Sequence, residues 1–141
     1  MKGDPVPNPH HIARYCGGTQ INEDGSISGA AFRLRAGEGF LSVNWLEFLY
    51  RTTRDEIGEI RRVLGAKLRL GATAKIAVLG VGQLRRYVHS ESPDKRDLRV
   101  LHEPELPGDP SHSGVFNVFP DDDLIADLIA EIVQETHPVK S

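Results

Sequence analysis

Cysteine is almost absent from this 141-residue chain; Cys16 stands alone. One thiol cannot close an intramolecular disulfide, and it excludes zinc sites built on three or four cysteines. A lone unpaired cysteine fits a reducing compartment, so a cytoplasmic protein is expected. Aromatic residues make up only 6% of the chain, with a single Trp. No apolar run approaches the roughly 18–20 residues that a membrane span needs, so no membrane partner is expected. The opening stretch Met1–Pro9 is polar and carries Pro5, Pro7 and Pro9. It lacks the apolar segment of a secretory signal and reads as an extended arm. Familiar catalytic signatures are also missing. There is no H-E-x-x-H helix, Walker loop, G-x-S-x-G elbow or Cys/His finger spacing. The pair Gly80 and Gly82 is too short a signal for a dinucleotide loop. These absences count against the well-known enzyme classes.

What is present describes an ordinary globular chain. Hydrophobic residues make up 39% and charged residues 26%, and the length suits one domain with a real core. The charge is unevenly placed. Residues 51–100 hold twelve Lys/Arg against six Asp/Glu, whereas residues 101–141 hold Lys140 against nine acids. The overall charge of −3 conceals this split. Two such blocks either neutralise each other within the fold or leave a basic face for a partner.

Periodicity places the elements. Residues 10–16 read as a first strand. Asn22–Gly25 is a turn signal, because Asp-Gly suits a backbone that takes positive φ. Ser26–Arg35 follows as a strand and Phe40–Asn44 as another. Thr53-Arg-Asp-Glu56 has the form of a capping box, and Ile57, Ile60, Val63 and Leu64 then share one face of a helix over 53–65, with Gly65 as its terminator. Ile76–Val81 is a buried strand, with Lys67–Leu70 as an optional one before it. Gly82–Tyr87 opens a short helix, and Ser90–Lys95 is a polar loop. Leu98–His102 is a strand, Pro104–Pro110 a proline-stiffened loop and Ser113–Phe119 a last strand. Asp121–Thr136 carries a helical stripe of Leu124, Ile125, Leu128, Ile129, Ile132 and Val133. Its acidic start suits the helix dipole, and Pro138 stops it. With no repeats and no linker, the expectation is an arm over 1–9 and one compact α+β domain over 10–141. Its sheet would be mostly antiparallel, with helices at about 53–65 and 121–136 on one face.

Six histidines are many for this length. The stretch from His102 to Gly114 sets His102, Asp109 and His112, with Glu103 and Glu105, around a stiff loop at a strand end. Two imidazoles and a carboxylate suit a divalent metal or a general acid/base pair near neutral pH. The alternative is a plain loop in which His112 bonds backbone. No cofactor is otherwise called for. On the first strand, His10, Arg14 and Cys16 share one face, and His11 lies on the other with Ala13 and Tyr15. That first face could hold a phosphate or an activated thiolate, or it could simply pack. Ser42 and Asn44 alternate with Leu41, Val43 and Trp45, so if the apolar set faces the core they could line a cleft, although a solvent-facing or hydrogen-bonded pair is the favoured reading.

Arg61 and Arg62 on the first helix, with Arg85, Arg86 and Tyr87 further on, form a candidate binding set. Arginines beside a tyrosine can grip phosphates and stack on a base, which makes nucleic acid a candidate partner. The competing reading lays the acidic C-terminal region against them and cancels their field.

The strings His11–Tyr15, Gly29–Arg35, Leu41–Leu46 and Asp109–Ser113 resemble small uncharacterised bacterial proteins. The resemblance implies a bacterial, single-domain protein and brings no activity or site residue with it. Two functions are therefore carried forward. One is an accessory protein that binds another protein or a nucleic acid. The other is a small metal-assisted or acid/base hydrolase using His102, His112 and nearby carboxylates.

Overall fold

Among the described residues the strands and α-helices follow in the order β1 (His11–Cys16), β2 (Leu41–Trp45), α1 (Thr53–Lys67), β3 (Lys75–Gly80), α2 (Val81–Glu91), β4 (Arg99–His102), β5 (His112–Phe116), α3 (Asp123–Glu131) and β6 (Glu135–Pro138). The computed structural model describes residues 2–49, 53–67 and 73–139. The strands form one six-stranded sheet in the order β4-β5-β2-β1-β3-β6, and every neighbouring pair runs antiparallel. This is the expected α+β class.

The helices lie on both faces rather than one. Side chains alternate along a strand, so Ile12 and Cys16 of β1 point one way and Ala13 and Tyr15 the other. The first set joins Ala77 and Leu79 with α2 (Val81, Leu84, Val88) and α3 (Ile125, Leu128, Ile129). The second joins Ile76 and Val78 with Ile57, Ile60 and Leu64 of α1. Central strands apolar on both faces need cover on both. Helix α1 passes Gly65 by one half-turn. The capping-box side chains at its start and the strand reading at 68–70 lie outside the described residues.

Three other expectations change. Residues 29–32 form a 3-10 turn rather than part of a strand, because Ser28 Oγ accepts from the Ala30 amide. That turn sinks Ala31 and Phe32 into the core. Gly29 lies so close to α3 that a Cβ there would meet the Asp127 backbone. The strand beginning near Ser113 ends at Phe116, where Asn117 takes a φ of +73°. Helix α3 is shorter than its stripe suggests, and Leu124 is exposed. After Ile132 the chain straightens, and residues 135–138 pair with β3. The open edge of a buried strand is a stronger demand than one more helical turn. The β-branched Ile132, Val133 and Thr136 suit the change.

Both sheet edges are blunted, as exposed edges invite pairing with other chains. On β4 the N-terminal arm adds itself as a partial strand. Gly3 N donates to His102 O at 2.6 Å, His102 N to Asp4 O at 2.8 Å and Val6 N to Val100 O at 2.9 Å. On β6, Pro138 has no N–H, and its carbonyl accepts from Arg61 Nε and Nη2 at 3.0 and 2.7 Å.

Gly114 of β5 lies beneath the Phe40 ring, which also stacks near Phe116 at 4.8 Å between centroids. A Cβ at Gly114 would collide with that ring. Gly114→Ala is expected to lose about 1–3 kcal/mol of stability by overpacking. Urea denaturation should show that loss shrinking when it is repeated in a Phe40→Ala background. An equal loss in both backgrounds would mean Phe40 is not the obstacle.

Candidate functional site

The ladder between β1 and β2 is cut short. Strand β1 pairs with β3 over six residues, and β2 pairs with β5 over four. Between themselves β1 and β2 keep only Ile12–Trp45 and Ala13–Asn44 in register. Beyond Ala13 the two strands part, and a cleft of about 440 Å³ opens at the split. Ala13, Arg14 and Tyr15 line it from β1, and Ser42 and Asn44 from β2. His112 comes from β5 and Leu64 from α1, and Gly17, Thr19, Gln20 and Arg35 close it.

Arg14 bridges the gap. Its Nε donates to Ala31 O at 2.7 Å and its Nη1 to Ser42 O at 2.8 Å. The Ser42 carbonyl would face Tyr15 in a continued ladder, so a guanidinium stands where strand pairing stops. Burial is the largest influence on Arg14 and lowers its pKa, while Cys16 and Glu38 act against it.

Asn44 and His112 form the opposite wall. They are register partners, so both project on the α1 side of the sheet. Asn44 is buried, and its amide Nδ2 donates to Asp109 Oδ1 at 2.7 Å and Ser111 Oγ at 3.0 Å. Both amide protons are thereby used, so Asn44 can offer the cleft only its Oδ1. His112 Nδ1 donates to Glu103 O at 2.7 Å, which leaves Nε2 as the second ring atom. Nε2 lies 4.0 Å from Glu105 Oε1. His112 separates the cleft from a hollow of about 160 Å³ lined by Glu103 and Glu105. One Glu103 oxygen is buried there without a hydrogen-bond partner.

The expected pair His102 and His112 does not meet. His102 is the partner of Ser113 in the β4–β5 ladder, so it faces the other side of the sheet from His112. Its Nε2 donates to Pro110 O at 2.7 Å, and its ring packs on Trp45 and Phe48. His10 Nδ1 accepts from Trp45 Nε1 at 3.0 Å. His11 Nδ1 donates to Glu47 Oε2 at 2.6 Å. Among the described residues no group of three or more His, Cys, Asp or Glu is arranged to hold a metal ion. Asp109 joins the wall behind Asn44 rather than either histidine pair. Of the strand candidates, Arg14, Ser42 and Asn44 converge; His10 and His11 do not. Tyr15, Thr19, Gln20 and Arg35 were not singled out beforehand, because the split that gathers them has no local sequence signal.

The arginine set is divided between helices. Arg61 and Arg62 belong to α1, on one face of the sheet, and Arg85 and Arg86 to α2, on the other. Arg61 holds Pro138 O, and Arg62 pairs with Glu59. Arg85 donates to Leu98 O and Asn8 Oδ1 at 3.0 Å each. Tyr87 hydrogen-bonds Glu131 of α3. The basic block meets the acidic one where Arg96 pairs with Asp122 at 2.7 Å, and Asp123 is taken by Arg33 from outside the basic block at 3.0 Å. Comparison with protein-family models, curated proteins and solved structures finds no match.

Cys16 is fully buried, and burial pushes its thiol up to about 11, against the pull of Arg14. An activated thiolate is therefore not what the fold builds. Because the unfolded thiol ionises near 9.0, the folded state holds that proton more tightly. The resulting stability is complete below pH 9 and lost as pH rises to about 11. Its full size is on the order of 2–3 kcal/mol. Urea midpoints measured from pH 8 to 11 should fall more steeply for the native chain than for Cys16→Ala. Parallel curves would show that the thiol environment is not set by burial.

Proposed function

We propose that this chain is an accessory binding protein and that the cleft at the β1–β2 split is its ligand site. The observation that carries this reading is the split itself. A six-stranded sheet gives up ladder pairing at its centre and gathers polar side chains from separate elements around a cavity of about 440 Å³. That volume is within the range of small-molecule sites, which combine an apolar lining with a few placed polar groups. Here Ala13 and Leu64 are the apolar part, and Tyr15, Ser42, Asn44 and His112 the polar part. The hydrolase alternative has less support. His102, His10 and His11 each spend a ring nitrogen on a structural contact away from this cleft.

The test is an amide-NMR screen of the whole chain against mixtures of small acids, amines, sugars and nucleosides. Shifts should concentrate on Tyr15, Ser42, Asn44 and His112. Ser42 is exposed, so Ser42→Leu should fill the cleft, keep the fold and abolish the shifts. Shifts confined to the Arg85–His89 segment would sink this reading. Metal-dependent hydrolysis lost in His102→Ala/His112→Ala would sink it as well.

A further inference from the structure

We infer that the group recognised in the split-sheet cleft is an anion, a carboxylate or a phosphate carried on a small organic body, and that Arg14 is its counter-charge. This rests on the cleft being the ligand site. Three observations lead to it. First, among the described residues the lining holds Arg14, Arg35 and His112 and not one Asp or Glu. The chain as a whole has more acids than bases, 20 against 17, so an acid-free cleft runs against its composition.

Second, Arg14 makes no ion pair among the described residues. Among the described residues no carboxylate lies within 4 Å of it. Its fixed bonds go to two neutral carbonyls, of Ala31 and Ser42. The nearest acid to act on it, Glu38, spends Oε1 on the Arg35 amide at 2.8 Å. A half-buried guanidinium without a counter-ion carries part of the desolvation cost that pairing ordinarily offsets. Two carbonyls that use Nε and one Nη1 proton also lock the planar fork, and they leave the Nη2 donors for a ligand. A pre-aimed fork fits the two oxygens of a carboxylate or phosphate.

Third, the donors around it suit oxygen acceptors. The Ser42 and Thr19 hydroxyls share the lining with the guanidinium. The volume exceeds what a bare inorganic anion fills, and Leu64 and Ala13 offer an apolar floor to the remainder. His112 stands between this cationic side and the hollow of Glu103 and Glu105, so those two acids lie behind an imidazole.

The experiment titrates benzoate, inorganic phosphate and uncharged benzamide into the full chain, reading amide shifts of Tyr15 and Ser42 and the Arg14 Nε–H resonance. Benzoate or phosphate should move all three signals, and benzamide should bind at least about tenfold more weakly. Which of the two anions moves them at lower concentration identifies the carboxylate or the phosphate as the preferred group. Arg14→Gln should remove the preference for the anion. Because Arg14 also holds the two strands, Arg35→Glu serves as the second variant. Arg35 is exposed, and reversing its charge should weaken anion binding several-fold with the fold intact. Equal binding of benzoate and benzamide, unchanged in Arg35→Glu, would overturn the anion assignment and leave the cleft reading standing. Silence of these resonances toward all three probes, while another ligand of the screen moves them, would also overturn it. Silence toward every compound would overturn the cleft reading itself.

Discussion

The hydrogen bonds from Arg14 to Ala31 and Ser42 hold the centre of this sheet together where its own ladder does not. Strand β1 is committed to β3 along its whole length, and β2 is committed to β5. The sheet is therefore two smaller sheets, β6-β3-β1 and β2-β5-β4, joined by two register pairs. Where they separate, the Ser42 carbonyl of β2 would otherwise face a gap, and Arg14 supplies a charged donor to it and another to Ala31 O of the 3-10 turn at 29–32. Hydrogen bonds to a charged group are worth about 1.5–3 kcal/mol each. Sinking a guanidinium without a counter-ion offsets much of that gain. As a pure staple, Arg14 is a poor choice. As a staple that also presents a cation to a cleft, it makes chemical sense.

The wall opposite Arg14 shows the same economy of polar groups. Asn44 is buried at a strand position where a valine or isoleucine would be ordinary. It is satisfied because the β4–β5 loop folds back and delivers Asp109 and Ser111 to its amide. That loop is closed by paired backbone bonds between Glu105 and Asp109 at 2.7 and 2.9 Å, so its rigidity comes from more than its prolines. Buried polar groups that are fully satisfied fix one arrangement. Here the arrangement sets the Asn44 carbonyl and the His112 ring at the cleft.

Much of the fold was legible in the sequence, and the reasons it stopped being legible are physical. Residues of β1, β3 and β4 were placed within about a residue of their ends, since apolar runs bounded by turn residues carry that information locally. The alternation of Ser42 and Asn44 against Leu41 and Val43 separates their two faces, and both polar residues line the cleft. What a strand pattern cannot carry is register. His102 and His112 were read as partners because ten residues and a stiff loop separate them. In the ladder His102 falls opposite Ser113, and Glu103 falls opposite His112. That single-residue offset sends the two rings to opposite faces. The strand β6 was missed for a related reason, because its pairing partner is some sixty residues away and its own segment continues a helical stripe.

Charge was legible only along the chain, and the cleft shows why that is not enough. The conspicuous basic block at 51–100 is dispersed by the fold. Three of its arginines go to α1 and two to α2 across the sheet, and Arg96 is drawn onto Asp122 of the acidic block. The cationic site is built instead from Arg14 and Arg35, which lie in the first fifty residues, where four bases meet five acids. A local field depends on which charges share a low-dielectric concavity, not on which share a stretch of sequence. Segregated blocks that pair with each other cancel at the surface and contribute little. Two arginines that make no side-chain ion pair among the described residues, one of them half-buried at a strand split, can dominate the potential of a cleft in a protein whose net charge is negative.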